Sequence, residues 1–241
     1  MDLGIVIPCF NEYERLAFSV FEKFLNQKNE ISFCFVNDGS KDKTINTLEK
    51  IRQINPKRVH IIDLKKNLGK SEAVRVGMNF FSINSKIKKI AYLDADLSTS
   101  LDECFALSKK INLKTKFVFA SRIKKIDNNI DRYWYRFIVG RILATIISKI
   151  LNLPVYDTQC GCKVFNSELT PIAFGSSFVS RWLFDVEIFF RLKNHFGAEK
   201  LKYFSEETPL DSWIDLGDSK IKLSYCIVVW FDLLKIYRTY K

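Results

Sequence analysis

Short apolar runs recur along the first half of the chain: LGIVI (3–7), ISFCFV (31–36), VHIIDL (59–64), IAYLD (90–94) and FVFAS (117–121). Each is rich in Val, Ile or Phe and short enough for a strand. Helix-like amphipathic stretches separate them, near 12–27, 42–54, 70–84 and 101–112, the second opening on Ser40 or Asp42 as its cap. This β-α-β-α rhythm predicts a parallel sheet with helices on both faces, and the near-continuous apolarity of the strands predicts that the sheet is buried.

The second half breaks the alternation. YWYRFIVGRILATIISKILNL (133–153) reads as one long apolar helix carrying Arg136, Arg141 and Lys149. A bilayer span needs about 20 mostly apolar residues and charge near its centre is costly, so Arg141 argues for a helix lying in the interface. The segment 220–241, with IVVWFDLL between basic and tyrosine residues, has the same character. Two ordinary core helices are the other reading. The start, MDLGIVIPCF, lacks a basic region followed by a long apolar stretch, so no signal peptide is expected and the domain is placed in the cytoplasm.

With 241 residues, 47% of them hydrophobic and 14% aromatic, the chain can bury a sizeable core and does not resemble a disordered one. A net charge of +11 favours an anionic partner: phospholipid, nucleic acid or a phosphorylated substrate. A solvated lysine-rich surface accounts for the charge equally well, and no nucleic-acid-binding signature accompanies it, so no nucleic acid is expected. The six cysteines, at 9, 34, 104, 160, 162 and 226, form no C-x-x-C pair and read as reduced thiols.

In such sheets ligands bind beyond the carboxyl ends of the strands. There the chain places Pro8-Cys9-Phe10-Asn11-Glu12, Asn37-Asp38-Gly39-Ser40 and Asp94-Ala95-Asp96, which gathers four carboxylates along one edge. Asp94 and Asp96, two apart at a strand end, can address one locus, and a D-x-D pair with substrate phosphates suits Mg²⁺ or Mn²⁺. No G-x-G-x-x-G follows the first strand, where the turn reads PCFNE, which weighs against a dinucleotide-binding oxidoreductase.

VIPCFNE (6–12), VNDGSKDKT (36–44), NLGKSEAV (67–74), YLDADLST (92–99) and ASR (120–122), in this order, closely resemble glycosyltransferase family 2, whose fold is called GT-A. DTQCGCKVF (157–165), RWLFDVEIFFR (181–191) and SWIDLGDSKIKL (212–223) look like its dolichyl-phosphate glucosyltransferase and polyprenyl-phosphate branch. The resemblance implies one GT-A domain over 1–241: a Rossmann-like, mostly parallel sheet flanked by helices. Residues 1–122 would bind the nucleotide-sugar, and 123–241 the acceptor and the membrane interface. It further implies inverting transfer of a hexose, UDP-glucose favoured, to a polyprenyl phosphate by an enzyme peripheral on the cytoplasmic membrane face. A saccharide hydroxyl acceptor is the alternative.

By motif, the resemblance assigns Pro8, Phe10, Glu12, Asp38, Lys70, Asp94, Ala95, Asp96 and Arg122 to the nucleotide-sugar, with Asp94 and Asp96 as metal ligands. Arg132, Arg136 and Lys220 would receive the acceptor phosphate. Asp96, Arg136 and Asp185 would be catalytic, Asp185 as the base for a hydroxyl acceptor or as an orienting group that holds Arg181 or Lys220. Two positions depart from the mannosyl relatives: Ser98 replaces a metal-binding glutamine, and Gly140 replaces a serine four residues after Arg136.

Overall fold

The computed structural model describes residues 2–131, 133–214 and 225–241, without the side chains of 134–136 and 225–227. All five apolar runs are strands: β1 (Leu3–Cys9), β2 (Ile31–Asp38), β3 (Val59–Leu64), β4 (Lys89–Leu93) and β5 (Phe117–Ser121). Between them lie α1 (Phe18–Gln27), α2 (Thr44–Ile54), α3 (Lys70–Ser82) and α4 (Leu101–Lys109). The second half adds β6 (Asn129–Asp131), α5 (Trp134–Leu151), β7 (Cys162–Asn166), α6 (Thr170–Phe174), α7 (Phe184–Phe196), α8 (Ala198–Phe204), β8 (Ser205–Pro209), β9 (Ser212–Ile214) and α9 (Tyr225–Tyr240).

The main sheet has seven strands in the order β3-β2-β1-β4-β7-β5-β8, and β6 pairs with β9 apart from it. Strands β1 to β4 are parallel, whereas β7 runs antiparallel to both of its neighbours, β4 and β5. Every residue of β2 is buried, as the unbroken apolar run requires. One face of the sheet packs Phe33 and Phe35 against Phe21 and Phe24 of α1, Leu48 of α2 and Phe105 of α4. The other packs Val6, Tyr92, Phe117 and Phe165 against α3, α6 and α7, with Ile147 and Leu151 of α5 and Leu233 and Ile236 of α9 closing the layer.

Two helix starts differ from the sequence pattern. Residues 12–17 are not helical, because the backbone N–H groups of Asn11, Glu12 and Tyr13 donate to the side chains of Ser40, Thr44 and Asp42, and Asn11 turns with φ 51°. Neither Ser40 nor Asp42 caps α2. Lys43 stands at the cap position, while Asp42 accepts from Thr44 N–H at 3.0 Å. α4 opens on Ser100, whose hydroxyl accepts from Glu103 N–H at 3.1 Å. It stops before 112, where Asn112 folds its own turn by accepting from Lys114 and Thr115 N–H.

Candidate active site

The carboxyl ends of β1, β2 and β4 meet at one edge, since Pro8 pairs with Val36 and Cys9 with Asn37, and Val6 pairs with Tyr92. The lacing of the β1–α1 loop onto the β2–α2 loop carries Phe10 and Glu12 there, and Glu12 is buried. Asp38, also buried, accepts N–H bonds from Leu68 at 2.7 Å and Gly69 at 2.9 Å. It thereby fixes the loop that starts α3, so that Lys70, the first residue of α3, meets Asp94 Oδ1 at 2.5 Å.

Past β4 the chain turns sharply. Leu97 takes φ 53°, Asp94 C=O accepts from Leu97 N–H, and Asp96 Oδ1 accepts from Ser98 N–H at 3.0 Å. Asp96 Oδ2 lies 3.5 Å from Arg15, whose Nε is 3.1 Å from Glu12. Ala95 between them is buried. The Asp94 carboxylate rests on Gly161: a Cβ there would lie 2.5 Å from Asp94 Cγ, closer than any tolerated contact. Gly161 C=O also accepts the Asp94 N–H, at 3.2 Å.

Asp185 stands in the first turn of α7, buried. Arg181 is not among its described partners, and Lys220 lies outside the described residues; the fully buried Lys163 donates to Oδ1 at 2.5 Å, and Tyr92 Oη donates to the same oxygen. The described cation at Asp185 is thus Lys163 in place of Arg181; it is on β7 and reaches Asp185 across the sheet face, where a lysine must find an anion to be buried. Lys163 also donates to Cys160 C=O at 2.7 Å, tying Asp185 to the segment that seats Asp94. Burial pushes the Tyr92 hydroxyl well above its ordinary range, with the Asp185 charge adding to it. Burial pulls the Lys70 ammonium down, but the carboxylates of Asp94, Asp185 and Asp96 outweigh it and hold it above its ordinary value. Lys70 thus stays a cation, paired with Asp94.

Arg122 follows β5 directly, with its fork turned to Asp157, Nε at 2.7 Å and Nη2 at 2.9 Å, and its guanidinium 5.2 Å from the Trp213 ring. Burial opposes the charge on both partners. Their mutual attraction prevails, holding Asp157 well below the usual carboxylate range and Arg122 above its own. Glu207 accepts from Tyr156 and Asp157 N–H, fastening this corner to β8. Arg132, Lys220 and the side chain of Arg136 lie outside the described residues. Arg141 donates to Tyr156 C=O at 2.8 Å and stacks 3.5 Å over its ring.

The sequence reading overlooked Arg15, Tyr92, Asp157, Gly161 and Lys163. Lys163 left one signal: a lysine inside the apolar run of β7, CKVFN, needs a buried anion. α5 and α9 are each half core and half exposed. Phe137, Ile138, Val139 and Ile142 of α5 and Val228, Trp230, Phe231 and Leu234 of α9 face outward. Among the described residues no helix is long and apolar enough to cross a membrane.

A mostly parallel sheet with helices on both faces, presenting a D-x-D pair beyond its fourth strand, is the arrangement of a GT-A glycosyltransferase. The comparisons agree. Residues 4–170 match the glycosyl transferase family 2 profile, and the chain belongs to that family. It is 30% identical to the human dolichyl-phosphate beta-glucosyltransferase over 95% of this chain and 77% of that protein. It is 29% identical to dolichyl-phosphate beta-glucosyltransferase ALG5C of Trichomonas vaginalis, over 96% and 69%. In fold it superposes on glucosyl-3-phosphoglycerate synthase from Mycobacterium tuberculosis, solved with Mn²⁺, uridine-diphosphate and glucosyl-3-phosphoglycerate. The TM-score is 0.69 at 13% identity, covering 98% of this chain and 80% of that one.

Proposed function

We propose that this enzyme transfers glucose from UDP-glucose to a polyprenyl phosphate of the dolichyl or undecaprenyl type, with inversion, while seated on the cytoplasmic face of a membrane. One observation carries the reading. The acidic edge, with the cation Lys70 inside it, shares α7 with two helices that expose apolar faces: Asp185 opens α7, and α5 and α9 pack against it. A donor diphosphate needs the first feature and a prenyl tail the second. The dolichyl-phosphate beta-glucosyltransferases that resemble the chain support the same donor sugar and acceptor.

We assign residues 1–122 to the donor, with Pro8, Phe10, Glu12, Asp38 and Ala95 around the nucleotide and Arg122 holding the wall beside it. Lys70 supplies fixed positive charge for the diphosphate. Residues 123–241 receive the acceptor, with Arg132, Arg136 and Lys220 for its phosphate. Mg²⁺ or Mn²⁺ would be held by Asp94 and Asp96. Their side chains are partly exposed, at 32% and 25%, and each already bears a cationic side chain, so the pair fits a hard divalent ion. Among the described residues no three His, Cys, Asp or Glu side chains form a cage, which leaves the remaining ligands to the donor phosphates. When bound, the ion neutralises the departing diphosphate as a Lewis acid.

The nucleophile, a phosphate oxygen, is ionised near neutral pH and needs no strong base. Asp185 accordingly orients: Lys163 and Tyr92 already occupy its Oδ1, so this oxygen is a fixed acceptor rather than a proton carrier.

The test offers UDP-glucose, UDP-N-acetylhexosamine, UDP-glucuronate and GDP-mannose to the purified enzyme with a polyprenyl phosphate or a saccharide, with and without Mn²⁺ or Mg²⁺. Products are read by mass. Glucosyl lipid phosphate from UDP-glucose is expected, lost in EDTA and in Asp96→Asn. Glucose on the saccharide instead would refute the acceptor, and full activity after verified metal removal would refute the metal.

A further inference from the structure

Residues 175–183 join α6 to α7, and an unusual number of buried polar groups hold this short connection. Glu187, 0% exposed, accepts N–H bonds from Val179 at 2.9 Å and Ser180 at 2.8 Å, and accepts from Tyr240 Oη at 3.0 Å. The buried Arg191 donates to the carbonyls of Ala173, Ser176 and Ser177. Ser180 Oγ donates to Asp232 Oδ2 at 2.6 Å and accepts from Leu183 N–H at 3.0 Å. Burying charge is costly unless every group is matched, and loops usually lie on the surface without such support.

What this scaffold presents is Arg181. Its side chain is exposed, its C=O accepts from Ser71 N–H at 3.3 Å, and its stem lies over Gly69. A Cβ at Gly69 would come within 3.1 Å of Arg181 Cγ and Cδ, and Gly69 itself turns with φ 99°. The stem thus crosses the residue next to Lys70, the partner of Asp94. Arg15, Arg75, Arg122 and Arg191 are all engaged. The Arg181 guanidinium has no hydrogen bond or ion pair among the described residues.

We propose that Arg181 is a ligand for the phosphate monoester of the acceptor, and that the Glu187–Arg191 network exists to hold it in place. The proposal rests on the lipid-phosphate reading above. A guanidinium fork matches a phosphate. The acceptor is favoured over the donor because Lys70 already serves the donor side, whereas Arg181 precedes Asp185 by four residues. Its loop is also fastened through Asp232 and Tyr240 to α9, the helix that exposes Trp230 and Phe231.

Trp182, adjacent in sequence, provides a signal that does not depend on turnover. Farnesyl phosphate, farnesol and UDP are titrated by tryptophan fluorescence into the wild type, Arg181→Ala and Arg181→Lys, with melting temperatures recorded. Loss of one charge-assisted contact should weaken farnesyl phosphate by about tenfold or more in Arg181→Ala. Farnesol and UDP should bind as before, and Arg181→Lys should recover part of the loss. Unchanged farnesyl phosphate affinity, or an equal loss for UDP, overturns the proposal while leaving the lipid-phosphate reading standing. A wild type that binds farnesyl phosphate no better than farnesol defeats both.

Discussion

Replacing Lys163 by methionine isolates the buried pair beneath the site. The ammonium is 0% exposed and Asp185 6%, at 2.5 Å. Methionine keeps the length and apolar bulk of the stem but leaves Asp185 charged, with Tyr92 its remaining described partner, and deprives Cys160 C=O of its donor. Breaking a buried pair from one side costs about 3–5 kcal/mol. Each kcal/mol lowers the Tm of a domain this size by about 2–4 °C, so the drop should fall between about 6 and 20 °C. The variant should still fold, because domains are stable by about 5–15 kcal/mol. Thermal melts followed by circular dichroism would be compared for Lys163→Met, Asp185→Asn and the double variant. The double variant carries no unmatched charge and should recover most of the loss, giving a coupling of about 2 kcal/mol or more. A Lys163→Met melt within about 2 °C of wild type, below the shift expected for even 1 kcal/mol, would refute the reasoning. Additive losses in the double variant would do the same.

Two further outcomes follow from the geometry. Gly161→Ala should push the Asp94 carboxylate off its seat and lower kcat about a hundredfold, as a displacement of 1 Å can; a wild-type kcat would show that the seat is unimportant. Asp157 is held below its ordinary value, so its pairing with Arg122 contributes stability that is fully present above the unfolded carboxylate pKa of about 3.9 and is lost as pH falls towards the folded value. Denaturant melts between pH 6 and 2 should show this loss in the wild type and not in Asp157→Asn, and parallel curves would overturn it.

The first half of the chain was legible because its signals are local. Apolar runs announce β1 to β5, and the polar residues that end them, Glu12, Asp38, Asp94 and Asp96, fall at one edge once the sheet is parallel. What escaped is set by distant partners. Residues 12–17 look amphipathic, yet the N–H groups of Asn11, Glu12 and Tyr13 are captured by Ser40, Thr44 and Asp42, from 29 to 32 positions away. β7 was absent from the strand pattern because Lys163 interrupts its apolar run, and its justification, Asp185, is 22 residues further on. Arg122 reads as a phosphate cation from its motif, while its fork is turned to Asp157, 35 positions along. Asp38 likewise spends its oxygens on the Leu68 and Gly69 N–H groups.

The reversed direction of β7 matters beyond topology. A parallel strand between β4 and β5 would deliver its exit to the edge that carries Asp94 and Asp96, but β7 delivers its entrance, the Cys160–Gly161 turn. The chain from the end of β5 to that turn, α5 included, is therefore a single excursion that leaves this edge and returns to it. Such a segment can be exchanged as a cassette. On the proposed division of the chain, chimeras that take residues 123–160 from a relative with a different acceptor, and keep Gly161, Lys163 and the first five strands, should retain donor choice and shift acceptor preference in part, because Arg181, Lys220 and α9 stay behind. An unchanged acceptor preference would show that the segment plays no part in it.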